Sequence, residues 1–183
     1  MAIASVKDDI NVDVSWEPYL LKESGPYAVP PEGRPILPLG AEPQFHKMAD
    51  RGRAVGIDMT GDVSRVPNTR LSHILLEWAH EQRPEGQHQL KELIFQAYYS
   101  KNIYLGDIEN LVSLATQAGY DGAAARAHLA SGRGEAPMVR KAMDAKKSGV
   151  DGIPYFIIND KIAFSGAQDP TSFKDMIRKA SQR

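Results

Sequence analysis

The chain has 183 residues, 42% of them hydrophobic and 25% charged, and 22 Lys plus Arg against 23 Asp plus Glu leave a formal net charge of −1. That is the length of one domain, or of one domain with a sizeable insertion, with enough apolar content for a core. It excludes a wholly disordered chain and offers no global attraction to nucleic acid or anionic lipid. With no cysteine, the polypeptide supplies no disulfide, thiolate nucleophile, dithiol redox pair or Cys-ligated zinc.

Met1 to Ile10 carries Lys7, Asp8 and Asp9 and no apolar h-region, so no secretory signal is expected. No run of 18 apolar residues occurs, so no membrane span is expected and a cytoplasmic location is the default. Ile10, Val12, Val14 and Trp16 alternate with polar residues, the period of a half-buried strand ending near Pro18. Ser24 to Pro43 holds six prolines and three glycines, which predicts an extended surface loop. A helical block follows. Gln44 to Val55 is a helix with Phe45, Met48, Ala49 and Gly52 on one face, and 57–66 is extended or irregular. Leu71, Ile74, Leu75 and Trp78 sit at helical spacing over 69–82, capped by Asn68 or Thr69 and ended by Pro84 and Gly86. Gln87 to Ser100 repeats the pattern, and Asp107 and Asp121 cap two further helices. Pro137 opens another helix, running to Ser148. The period then changes. Pro154 to Ile158 is an apolar run of strand length, Asn159-Asp160 a two-residue turn and Ile162 to Phe164 the return strand. Asp169-Pro170 caps the last helix, with Phe173, Met176, Ile177 and Ala180 on its apolar face.

The most informative local feature is Gly149 to Pro154. A proline that begins a buried strand after glycines and a β-branched residue is a candidate cis bond, against the commoner trans proline that merely starts the strand. GVDGIPYFIINDKIAFSGAQDP at 149–170 resembles the C-terminal signature of the DsbA-like thioredoxin-fold proteins, in the branch related to the FrnE polyketide-cluster protein. The stretches at 66–79 and 89–121 are similar to that branch's helical insertion, and VDVSWEPYLL at 12–21 to its second strand. The resemblance implies an α/β thioredoxin-like fold with an all-helical insertion, N-terminally incomplete. Its parts are 1–42 (strand and Pro-rich loop), 43–148 (helical insertion) and 149–183 (cis-Pro loop, hairpin and C-terminal helix).

The same resemblance implies a cis Ile153-Pro154 bond, with Ile153 and Pro154 holding a substrate backbone. It places Asn68-Thr69 at the mouth of the insertion. In glutathione-using relatives, the kappa-class transferases and hydroxychromene-carboxylate isomerases, a similar pair lies near the thiol ligand; a plain helix cap is the competing reading of Asn68. The family activity is thiol–disulfide exchange by a Cys-x-x-Cys at a helix N-terminus, where the helix lowers the thiol pKa. Only about ten residues precede the strand at Ile10, too few for the strand and helix that would carry those cysteines, because a parallel crossover alone needs roughly a dozen. The expectation is a chain without catalytic residues, inactive by itself. A truncated gene model or alternative start would also explain it. The vacant sheet position would be filled by residues 12–16, by residues 2–6, or by another chain.

The alternative function is a non-catalytic binding module for an extended peptide or a small thiol such as glutathione. Neither a cofactor nor a metal is expected, and no nucleic acid or membrane partner. A homodimer through the exposed sheet edge is the expected self-association. His73, Glu77 and His80 share one helix face but lack HExxH spacing, so a solvated face is the better reading of them.

Overall fold

The computed structural model describes residues 10–21, 29–35, 43–59 and 65–182. In chain order the elements are β1 (Arg34–Pro35), α1 (Pro43–Ala54), β2 (Arg65–Val66), α2 (Arg70–Gln82), α3 (Pro84–Tyr99), α4 (Ile108–Gln117), α5 (Gly122–Ser131), α6 (Glu135–Lys147), β3 (Tyr155–Ile158), β4 (Ile162–Ser165) and α7 (Pro170–Ser181). They divide into two compact units: Ser15–Lys141, and Met1–Val14 with Ala142–Arg183. The division falls inside α6.

The larger unit is built on α2, which packs against α3, α4 and α5. The apolar stripes read from the sequence make its core. Leu75, Leu90 and Leu111 are wholly buried, and Ile74, Trp78, Ile94, Ala115 and Leu129 nearly so. Burying each large aliphatic side chain contributes about 1.5–3 kcal/mol. The Asp107 side chain accepts from Glu109 N–H at 2.8 Å, and Asp121 from Ala123 and Ala124 N–H at 2.8 and 3.1 Å. Each cap fixes the start of a helix and is worth about 1 kcal/mol.

Several boundaries differ from the sequence reading. Pro84 starts α3 instead of merely ending α2, because Arg83 is extended (φ −159°) and proline at a first helical position loses no hydrogen bond. The Tyr120 hydroxyl donates to Arg83 O at 3.0 Å and the Arg83 guanidinium to Ala118 O at 2.7 Å, fixing this corner. Helix α6 begins at Glu135, two residues before Pro137. Within the Pro-rich stretch, Arg34 and Pro35 pair antiparallel with Val66 and Arg65, a short β1–β2 bridge. Residues 24–28 and 36–42 of that stretch lie outside the described residues, as do residues 2–6. Met48, expected on the covered face of α1, is exposed.

The expected strand at 10–16 is not formed. Exposure does alternate through 11–17, but the backbone of Trp16 is engaged by a side chain instead of a strand. Trp16 N–H donates to Gln87 Oε1 at 2.9 Å, and Gln87 Nε2 donates to Trp16 O at 3.0 Å and to Leu76 O at 3.2 Å. Glu17 in turn meets Lys141 Nζ at 2.7 Å, and the same ammonium meets Glu77 at 2.8 Å.

In the smaller unit β3 and β4 form an antiparallel hairpin with Phe156 opposite Phe164 and Ile158 opposite Ile162. Asn159 and Asp160 both take positive φ (52° and 54°), and Lys161 N–H closes on Ile158 O at 3.1 Å. One hairpin face stacks Phe156 on Phe164, centroids 5.0 Å apart, and both rings meet Phe173 of α7 edge-on at 4.9 and 5.6 Å. Asp169 caps α7 through Thr171 and Ser172 N–H, both at 3.0 Å. The Asn159 side-chain amide donates to Ala180 O at 3.3 Å, tying the turn to the far end of that helix.

Candidate functional site

The loop at 149–154 is launched by the end of α6. Gly149 N–H bonds Lys146 O at 3.1 Å and Val150 N–H bonds Ala145 O at 3.1 Å, with Gly149 at φ +91°. This is the Schellman arrangement, which requires a left-handed residue and so a glycine. Four residues then lead to β3. The Ile153–Pro154 peptide is cis. Pro154 O accepts from Gly166 N–H at 2.8 Å, continuing the hairpin ladder one step past Tyr155 and Ser165. Among the described residues nothing bonds the main-chain N–H or C=O of Ile153.

Two isoleucines on this side of the hairpin are open, and Tyr155 is half-buried. Ile153 is 54% exposed and Ile157 61%, and Tyr155 lies between them. The pleat explains this: Phe156 and Ile158 point to the α7 side, so Tyr155 and Ile157 point away. In β3–β4 each strand pairs only with the other among the described residues, so the outer edge of β3 offers further donors and acceptors. The patch combines open backbone groups with an apolar face.

Asn68 belongs to the larger unit. Its Oδ1 accepts from Arg70 N–H at 3.1 Å, and its Nδ2 donates to Val29 O at 2.8 Å. The side chain thus caps the entrance of α2 in an Asx manner and holds the preceding loop. Thr69 makes no side-chain cap bond.

The helix face of His73, Glu77 and His80 is not a solvated one, contrary to the sequence reading: all three residues are half-buried. Burial pushes His73 down to about 4 from 6.5. Glu77 is engaged by Lys141, and His80 Nδ1 is buried with no hydrogen-bond partner. Among the described residues no group of three metal-ligating side chains converges. Burial raises Glu17, but its bonds to Lys141 and Ser15 and the charges of Lys141 and His80 outweigh this and hold its carboxyl below the usual range.

Sequence reasoning missed one cluster. The Lys91 ammonium lies 3.7 Å from the Trp16 ring centroid and 4.7 Å from that of Phe95, with Glu92 at 2.5 Å. Trp16 Nε1 donates to His88 Nδ1 at 3.2 Å. Gln87 and Lys91 are both buried. The available signal was their position: they flank Leu90 on the same face as Ile94, at spacings of three and four.

With the geometry in place, comparison with known proteins assigns the fold. The family model of the DSBA-like thioredoxin domain matches residues 2–178, and the chain belongs to that family. It is 27% identical over 173 residues to the Bacillus subtilis protein YwbO, covering 93% of this chain and 81% of that one. It superposes with a TM-score of 0.70 and 26% identity on the Streptomyces coelicolor protein assigned as a DsbA oxidoreductase, covering 78% of this chain and 61% of that structure. The chain therefore spans less than two thirds of that solved relative. A Nitrosomonas europaea protein assigned as a disulfide isomerase shares the fold at TM-score 0.66 and 15% identity. The fold is a DsbA-like thioredoxin α/β fold with a helical insertion, on a chain that carries no cysteine.

Proposed function

We propose that this chain serves as the substrate-holding part of a DsbA-like oxidoreductase, binding an extended peptide or a small thiol such as glutathione along Ile153 and the open edge of β3, with no exchange chemistry of its own. The carrying observation is the unbonded main-chain N–H and C=O of Ile153 beside the exposed Ile153 and Ile157 side chains. An extended peptide pairs with such groups as an added strand, and the apolar face gives alternate side chains a place to rest. Attack on a disulfide needs a thiolate, which no residue of this sequence supplies. The reading extends to the FrnE-related branch, supported by the order in which the stretches at 66–79, 89–121 and 149–170 occur.

The test is insulin reduction by the purified chain, with and without glutathione, alongside amide-shift mapping with glutathione and with an unstructured peptide. The expected outcome is no turnover above blank without added thiol and shifts centred on 150–157. Turnover without added thiol, or no shift at 150–157 with either ligand, would overturn the proposal. Self-association through the same amides that survives dilution would instead assign the edge to a second copy of the chain.

A further inference from the structure

Within the larger unit lies a cavity of about 170 Å³ between α2, α5 and the start of α6. It draws on no residue of the Ile153 patch. Its floor is Ile74, Trp78 and Met138, which are 5%, 7% and 1% exposed. His128 forms one side, its ring 6.0 Å from that of Trp78. Glu81 and Arg133 also line the cavity. Among the described residues neither side chain has a hydrogen-bond or ion-pair partner, and they do not pair with each other. Glu77, the remaining acidic group of the lining, is engaged by Lys141 at 2.8 Å. The lining therefore combines one unpaired acidic residue and one unpaired basic residue, both exposed, with an apolar floor.

We propose that this cavity binds a free α-amino acid with an aliphatic or thioether side chain. The size fits a small ligand: about 170 Å³ is well below the roughly 300–1,000 Å³ of pockets for drug-sized ligands. The charge fits as well. A simple anion would meet Glu81 and a simple cation would meet Arg133, whereas a zwitterion satisfies both with charge-assisted hydrogen bonds. The guanidinium fork suits the α-carboxylate, and Glu81 the ammonium. The apolar side chain rests on Trp78 and Met138. An internal peptide segment has neither terminal charge.

The experiment is calorimetric titration of the whole chain with L-leucine and L-methionine, and with two truncated probes: isoamylamine, which lacks the carboxylate, and 4-methylvalerate, which lacks the ammonium. Saturable one-to-one binding of both amino acids is expected, with each truncated probe about tenfold weaker or more, the worth of one charge-assisted bond. Arg133→Gln should weaken leucine about tenfold and leave isoamylamine unchanged. Glu81→Gln should weaken leucine about tenfold and leave 4-methylvalerate unchanged. Both substitutions fall on exposed side chains without partners, and unchanged circular dichroism confirms the fold. The proposal fails if the amino acids give no saturable heat at millimolar concentration, if the two variants bind leucine as the parent does, or if 4-methylvalerate binds as tightly as leucine.

Discussion

His73 shows how a single position can carry a pH dependence. Its ring is largely buried, and burial holds its pKa near 4 instead of 6.5. Between those values the unfolded chain takes up a proton that the folded chain refuses. The stability is whole above pH 6.5 and is lost as the pH falls towards 4, by about 3 kcal/mol. Urea unfolding across that window should show this slope, and His73→Leu should remove most of it; a variant that keeps the whole slope would contradict the assignment. The sequence suggested a solvated face here because a helix face carrying two histidines and a glutamate looks polar. Glu77 on that face meets Lys141 of α6, 64 residues further along the chain, a contact that no local pattern records. The capping aspartates were legible for the opposite reason. Asp107, Asp121 and Asp169 act on amides two and three residues away, so their whole effect lies within the local sequence.

At the scale of elements, the segment at 15–20 and helix α3 show where pattern reading stops. Alternation at 10–16 correctly marks an extended chain with one covered side, but it does not say what covers it. Here the partner is a helix, through the Gln87 amide, a group with one acceptor and two donors, all used. Removing it leaves partly buried backbone groups of Trp16 and Leu76 without that partner. Gln87→Ala should cost about 2–3 kcal/mol in urea unfolding and make residues 10–20 susceptible to proteolysis. A loss within about 0.5 kcal/mol, the usual range for surface changes, would show that the segment is held by its rings alone. The hairpin was more legible. Asn159-Asp160 supplies the positive φ values that the reversal needs, and the apolar run before it has no helical period. The uncovered state of Ile153 and Ile157 was not legible, since an isoleucine in such a run reads as buried.

For the molecule as a whole, the two units differ in how much they enclose. The larger contains wholly buried leucines from three helices, whereas the smaller relies on three half-buried phenylalanines with Ile177 and Ala180. Amide exchange should therefore be slowest in α2, α3 and α4 and markedly faster in β3 and β4. Equal protection in both would mean that the hairpin gains cover from something beyond its own aromatic cluster. The fold family was legible because its motifs occur in order along the chain. Glu17 and Lys141 carry a consequence of a different kind. They stand near the first and last residues of the larger unit, and their charged groups are 2.7 Å apart. The chain thus enters and leaves this unit at neighbouring points, so its whole length is a detour that returns to where it began. Such a module can lengthen, shorten or be exchanged while the path of the flanking chain stays almost the same.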